Sequence, residues 1–129
     1  MERDAPIIVT DSTFEALVTH AEVPVLVDFH APWCAPCRSL EPVIRTLAQR
    51  YTGAVRIARV DVDASPEIAR LMGIRSVPSV ALMFRGQVRD LLIGERPLED
   101  YERILDALLW EDAAPGRNIR SDMMNGLVI

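Results

Sequence analysis

The sequence predicts an α/β domain in which a mixed central β-sheet is flanked by helices on both faces. The chain has 129 residues, half of them hydrophobic, which suits one compact domain with a real core. Strand-like and helix-like apolar patterns alternate in the order β-α-β-α-β-α-β-β-α. The run "VPVLVDFHA" is almost continuously apolar, as expected of a central strand covered on both sides.

The first half of the chain supplies two strands and two helices. "PIIVT" is a short strand candidate, and Ser12 with Glu15 forms a capping-box pattern that predicts a helix. The central strand "VPVLVDFHA" follows. From Cys34 the period changes to that of a helix with Pro42 inside it. The apolar stripe of this helix comprises Leu40, Val43, Ile44, Leu47, Ala48 and Tyr51.

The second half completes the sheet. "AVRIARVDV" is a strand that a right-handed crossover places parallel to the central one. "SPEIARLMG" is a short helix with Ser65 as its cap. "SVALMF" and "QVRDLLI" flank Arg85 and Gly86, which predicts an antiparallel hairpin. The amphipathic segment "PLEDYERILDALLW" is the last helix, and periodicity stops after Trp110. We expect a domain over 1–112 and a tail over 113–129 that is disordered or docked.

Charge and composition exclude several function classes. The net charge is -5, which argues against a nucleic-acid surface and against attachment to anionic lipid. All fourteen basic residues are Arg. The sequence contains no basic stretch followed by a long apolar run and no apolar segment of membrane-spanning length. We therefore expect a soluble protein without a secretory signal, in a reducing cytosol, where two cysteines form a redox pair or half of a metal site.

The two cysteines, Cys34 and Cys37, lie where the central strand gives way to a helix, in "FHAPWCAPCRSLEP". A helix N-terminus presents unpaired N–H groups that stabilise a thiolate, the nucleophilic form of cysteine. Cys37 lies one turn on, within bonding distance, and Pro36 suits a first helical turn. Two alternatives are structural thiols and a zinc site completed by His30 and His20, although the sequence has no second CxxC or HxxxH pattern.

"WCAPC" in this setting resembles the thioredoxin active site, whose usual form is W-C-G-P-C. The resemblance extends from about Ile7 to Trp110 through "VLVDF", Pro42, "RVDVD", "GIRSVPS", "RGQV" and Gly94. It implies the thioredoxin fold and a protein-disulfide reductase that acts as a general electron donor, without cofactor or metal. It also implies disulfide-containing proteins as substrates and an NADPH- and flavin-linked thioredoxin reductase as electron source. We expect a cytoplasmic monomer with no nucleic-acid or membrane partner.

The chemistry of such a pair assigns roles to the residues that match the family. Cys34 attacks a partner disulfide, and Cys37 resolves the mixed disulfide. The resemblance makes Asp28, a buried acid, the proton acceptor for Cys37, and places a cis bond before Pro78, beside the cysteines. We expect an apolar patch around Cys34 that, together with Pro78, binds substrate. Its residues are Trp33, Ala35, Pro36, Val77, Ile93 and Gly94.

Four positions depart from the family pattern. Ala35 replaces the usual Gly, and Glu95 stands where a small apolar residue is usual. His30 replaces a Trp and adds a group that titrates near neutral pH. Arg59 replaces a Lys near Asp28, and its permanent charge is expected to limit the rise in the Asp28 pKa. His30, Glu95 and the tail leave open a reductase dedicated to one partner, and the apolar patch leaves open a non-redox binding or chaperone module on the same fold.

Overall fold

The computed structural model describes residues 4–113, in which a mixed sheet has the strand order β1-β3-β2-β4-β5. Strands β1 and β2 run parallel to β3, whereas β4 runs antiparallel to β2 and to β5. This confirms the predicted mixed sheet, with the apolar run at its centre. The strands are β1 (Ile7–Ile8), β2 (Val25–His30), β3 (Arg56–Asp61), β4 (Ser79–Phe84) and β5 (Gln87–Ile93).

The helices occupy the predicted places, but the first has different geometry. It is a short π-helix, Glu15–Thr19, and α1 (Ala35–Arg50) and α2 (Pro66–Leu71) follow in the expected order. The predicted capping box does not cap the π-helix. The preceding turn is instead closed by Thr10, whose N–H donates to Oγ1 of Thr13 at 2.9 Å and whose carbonyl accepts from two later N–H groups.

Helices cover both faces of the sheet, as predicted. Val25, Val27 and Phe29 of β2 belong to a buried cluster that includes Val18 of the π-helix. Ile68 of α2 packs against this cluster. The intervening residue of β2, Asp28, points to the opposite face because side chains alternate along a strand. On that face Arg59 of β3 contacts both Asp28 and Glu41 of α1, which places α1 there.

The N-terminus of α2 is capped by a residue from a distant loop. The Asp11 carboxylate accepts hydrogen bonds from the N–H groups of Glu67 at 3.2 Å and Ile68 at 2.8 Å. Ser65 occupies the cap position, as expected, but its side chain does not cap α2. Its hydroxyl accepts from the Asp11 N–H at 3.3 Å instead. The loop before the π-helix is thereby tied to the helix that follows β3.

A boundary between two compact units falls after Leu98. Helix α3 (Leu98–Ala113) carries its buried residues Tyr101, Leu105 and Leu108 on one face and extends three residues beyond Trp110, where the pattern had suggested an end. Of the predicted tail, 113–129, only Ala113 lies within the described residues. The expectation of a disordered or docked tail falls outside them, and the domain boundary at 112 stays a prediction.

Candidate active site

The two cysteines lie at the junction of the β2 loop and α1, and they are joined as a disulfide with their Cα atoms 5.3 Å apart. Cys34 is the N-cap residue of α1, and the Cys37 N–H donates a hydrogen bond to its Sγ at 3.1 Å. The same N–H stabilises an anion at that sulfur, because an unpaired helix N–H is a charge-assisted donor to a thiolate. Cys34 therefore lies at the helix start that the sequence predicted, and its role as the attacking thiol stays a prediction.

The disulfide is almost fully buried and lies beside an apolar groove. Cys34 and Cys37 are 3% and 2% exposed and form a small cluster with Ala31, against which Val62 and Val77 pack. A shallow apolar groove next to this cluster contains Trp33, Val62 and Val77 among its lining residues. The groove therefore adjoins the two cysteines through Val62 and Val77, which both line it and pack against them.

Trp33 is oriented by a partner that sequence reasoning missed. Trp33 is 68% exposed, and its Nε1 donates to Oδ2 of Asp63 at 3.0 Å. Asp63 is itself held by a turn in which the Asp61 carboxylate accepts from the N–H groups of Asp63 and Ala64. The only sequence signal was the segment "DVDAS", which begins at the last residue of β3 and contains two aspartates. Ala35 and Pro36, the remaining residues of the predicted patch on α1, are exposed.

The other predicted binding residues meet where β4 begins and β5 ends. The Val77–Pro78 bond is cis, as expected, and Pro78 is buried. The Pro78 carbonyl accepts from the Gly94 N–H at 2.8 Å, and Ile93, 58% exposed, pairs with Ser79 in the sheet. Val77 links this group to the cysteines, since it both packs against them and lines the groove.

Asp28 is buried in the sheet, and across residues 4–113 the charged side chain in contact with it is that of Arg59. It is 1% exposed, and its Oδ2 accepts from Arg59 Nε at 3.0 Å. Its Oδ1 is buried and has no hydrogen-bond partner among the described residues. Burial raises the Asp28 pKa from 3.8 to about 6, against the lowering effect of Arg59, while Glu41 raises it further. The carboxyl can therefore gain or lose a proton near neutral pH.

Glu41 is a second site residue, besides Asp63, that sequence reasoning did not single out. Its carboxylate lies 3.4 Å from Nη1 of Arg59, whose side chain is 17% exposed. The signal available was weak, because Glu41 follows the buried Leu40 in α1 and a charge there is normally a solvated flank of the apolar stripe.

His30 is half-buried at the end of β2, opposite Asp61 in the parallel pairing with β3. Burial lowers the pKa of His30, and Arg59 lowers it further, while Asp61 and Glu41 act in the opposite direction. The imidazole is accordingly neutral over more of the physiological range than an ordinary histidine.

The zinc alternative finds no geometric support in the described part of the chain. His20 lies against Glu15, with Nε2 3.3 Å from the carboxylate, and its side chain is 67% exposed. Within residues 4–113, His, Cys, Asp and Glu side chains form no group of three or more that could hold a metal ion. Over the same residues, none of the helices is both long and apolar enough to cross a membrane.

A dithiol pair that closes into a disulfide at the start of the helix after the central strand defines a thiol-disulfide oxidoreductase. The thioredoxin family model matches residues 5–107, and the chain belongs to that family.

Named relatives agree with this assignment. The chain is 43% identical over 98 residues to thioredoxin 1 of Nostoc sp., covering 76% of this chain and 92% of that protein. It is 42% identical over 98 residues to thioredoxin 1 of Synechococcus elongatus, with the same coverage of 76% and 92%. It is 39% identical over 102 residues to the chloroplastic M-type thioredoxin of Brassica napus. That match covers 79% of this chain but only 58% of the length of the Brassica napus protein.

Proposed function

We propose that this protein is a protein-disulfide reductase of general electron-donor type, with Cys34 as the attacking thiol and Cys37 as the resolving thiol. The observation that carries the proposal is the hydrogen bond from the Cys37 N–H to Cys34 Sγ at the N-cap of α1. It distinguishes the two sulfurs, because Cys34 Sγ accepts the helix N–H and is the one that ionises at lower cost.

The reaction transfers two electrons from the dithiol to a partner disulfide. The Cys34 thiolate attacks one partner sulfur, so that a mixed disulfide forms and the other partner sulfur leaves as a thiolate that takes up a proton. Cys37 then loses its proton and attacks Cys34 Sγ. The protein disulfide forms, and the second partner sulfur leaves and is protonated. The partner is reduced by two electrons and this protein is oxidised by two.

Asp28 is the proposed acceptor of the Cys37 proton. A carboxyl with a pKa of about 6 is a much stronger base than an ordinary aspartate, yet it is still largely ionised at pH 7. Arg59 moderates this pKa through its fixed charge, and His30 adds a second titrating group at the end of the same strand.

Substrate binding is proposed to use the apolar residues that surround the cysteines. Trp33 at 68% and Ile93 at 58% exposure present large apolar surface, and Val77 connects the groove to the sulfurs. Such a surface favours flexible apolar segments with little demand on sequence. The full set comprises Trp33, Ala35, Pro36, Val77, Pro78, Ile93 and Gly94.

Membership of the thioredoxin family supports a thioredoxin reductase as the source of electrons, and we propose the NADPH- and flavin-linked type. We propose that the protein acts as a monomer in the cytoplasm. A chain whose only two cysteines form the reactive pair suits a reducing compartment. The net charge of -5 supports protein substrates rather than nucleic acid or anionic membranes as partners.

Thiol reactivity tests the proposal directly. We expect Cys34 in the reduced protein to be alkylated at pH 7 many times faster than cysteine in a short peptide, because its pKa is lowered. Equilibration with glutathione buffers is expected to give a two-electron transition near -270 mV, about where thioredoxin lies. A Cys34 no faster than the peptide would contradict the assignment.

Serine variants separate a reductase from a binding module. Cys37→Ser is expected to accumulate mixed disulfides with substrate proteins, since attack by Cys34 remains but resolution is lost. Cys34→Ser with Cys37→Ser is expected to abolish reduction of a disulfide-bonded model protein. A double variant that keeps the protein's function would instead indicate a non-redox chaperone, and trapping of a single partner would indicate a dedicated reductase.

A further inference from the structure

Arg59 connects three elements of the fold at the buried carboxyl. From β3, its Nε donates to Oδ2 of Asp28 in β2 at 3.0 Å, and its Nη1 lies 3.4 Å from Oε2 of Glu41 in α1. The Arg59 side chain is only 17% exposed, so these two carboxylates replace much of the water that would otherwise solvate the guanidinium. Glu41 reaches solvent, with 39% of its side chain exposed.

We propose that Glu41 is a positioning residue for the proton step: by accepting from Nη1 of Arg59 it holds the guanidinium so that Nε faces Oδ2 of Asp28 and Oδ1 takes the proton. This inference rests on the proposed role of Asp28 as acceptor for Cys37. In that step the S–H bond of Cys37 breaks and an O–H bond forms at Oδ1, with no change in electron count. The ion pair at Oδ2 is left intact.

The shape of the guanidinium is the reason a second acceptor matters. Arg presents its donors in a rigid planar fork, so acceptors at two points of the fork determine its orientation. With Asp28 alone, the group can turn and present another N–H to either carboxylate oxygen. A donor at Oδ1 would oppose protonation there, because a carboxylate oxygen that accepts a hydrogen bond is stabilised in its ionised form.

The charges around Asp28 are few, which makes the arrangement testable. Glu41 raises the Asp28 pKa and Arg59 lowers it. His30 and Asp61 lie at the same end of β2 and β3. Strand β4, the other neighbour of β2, has no charged side chain over Ser79–Phe84.

The other charged side chains of α1 near its start are engaged elsewhere or exposed. Arg38 donates to the Pro32 carbonyl at 2.8 Å, and Arg45 is exposed. Glu41 is the acidic residue of α1.

Two substitutions of Glu41 distinguish its effect on the position of Arg59 from the effect of its negative charge. Glu41→Gln and Glu41→Ala both remove the negative charge, but Gln keeps an oxygen that can accept from Arg59. Glu67→Ala is the matched control, because it removes an equivalent carboxylate from the exposed Glu67–Arg70 pair in α2. Both positions are on helices and partly or fully exposed, so Ala is expected to be tolerated in each.

The measurements are the Asp28 titration midpoint, from carboxyl carbon NMR, and the rate at which the Arg59 Nε–H exchanges with water. We expect both Glu41 variants to lower the Asp28 midpoint through loss of the negative charge. The Asp28 midpoint in Glu41→Ala should lie below that in Glu41→Gln, because a guanidinium that Glu41 no longer holds can also donate to Oδ1 and stabilise the ionised carboxylate. The Arg59 Nε–H should exchange several-fold faster in Glu41→Ala than in Glu41→Gln. In Glu67→Ala, both the Asp28 midpoint and the exchange rate should match those of the wild type. Equal midpoints and equal exchange rates in the two Glu41 variants would overturn the inference.

The rate at which a preformed mixed disulfide is resolved distinguishes the positioning role of Glu41 from the proposed role of Asp28 as proton acceptor. Asp28→Asn is expected to slow resolution, and Glu41→Ala to slow it more than Glu41→Gln, with alkylation of Cys34 unchanged in all three. If Asp28→Asn is slow but the Glu41 variants resolve equally, only the positioning role fails. If Asp28→Asn resolves at the wild-type rate, the proposed proton acceptor is wrong and the role of Glu41 is overturned with it.

Discussion

Replacing Asp28 with Asn is expected to stabilise the folded protein at neutral and alkaline pH. Asn has nearly the same shape as a protonated Asp and can still accept from Arg59, but it carries no charge in the sheet. The pKa rise from 3.8 to about 6 corresponds to about 3 kcal/mol, at 1.36 kcal/mol per pH unit, by which folding disfavours the ionised carboxyl. Arg59 therefore offsets only part of the desolvation cost.

The pH dependence gives this prediction its sign. A group with a raised folded-state pKa binds more protons in the folded than in the unfolded protein between the two pKa values, so stability falls as pH rises. The contribution of Asp28 is fully present below pH 3.8 and is lost as the pH passes through about 6. The stability difference between Asp28→Asn and wild type should thus be near zero at pH 3.5 and about 3 kcal/mol at pH 8.

Urea unfolding of the oxidised proteins at several pH values measures this difference, because the other titrating groups are common to both and cancel. The midpoint should shift to higher urea in the variant at pH 8, with an unchanged slope. A variant less stable than wild type at pH 8, or a difference independent of pH, would refute the reasoning. The first result would mean that the Asp28–Arg59 pair stabilises the fold after all.

Substitutions at three further positions test separate parts of the structure. Arg59→Lys is expected to raise the midpoint of the Asp28 titration, since an ammonium beside a buried acid can lose its proton; identical titrations would contradict the effect of the fixed charge. His30→Trp is expected to change the pH profile of activity below pH 6.5, because the pKa of His30 is lowered from that value. Superimposable profiles would indicate that His30 serves only in packing. Asp11→Ala should destabilise the protein by about 1 kcal/mol through loss of the α2 cap, and Asp11→Asn by less. Chemical denaturation measures the last pair, and equal stability of the Ala variant and the wild type would show that the cap is replaced by water.

Local sequence signals predicted the elements well because each one has a period or a breaker residue of its own. The apolar run became β2, the stripe after Cys34 became α1, and Arg85 and Gly86 form the hairpin turn with φ of 55° and 78°. Both values are positive, as a type I′ turn requires. The signals failed for the capping of the π-helix and of α2. The Ser12 and Glu15 pattern and the Ser65 cap were read from neighbours in sequence, whereas Asp11, far from α2 along the chain, supplies the cap.

In the candidate active site, too, residues close together in the sequence could be predicted and distant contacts could not. Cys34 and Cys37 could be assigned from sequence because the chemistry depends on their spacing and on the helix that begins between them. Partners separated along the chain could not. The Trp33–Asp63 hydrogen bond and the Arg59–Glu41 contact join residues 30 and 18 positions apart. No periodicity encodes which of many surface carboxylates will meet a given side chain.

By itself the sequence determined the order of the elements, the reactive pair and the presence of an acid within an apolar strand. Those properties follow from short-range physics: alternation, helical period and the chemistry of a thiol at a helix start. Only the tertiary structure decided the environment of that acid. One oxygen of Asp28 accepts a hydrogen bond from Arg59, the other has no donor among the described residues, and the pKa lies at about 6. The desolvation and the ion pairing of Asp28 depend on which side chains of α1 and β3 lie next to it, and the packing of the sheet decides that.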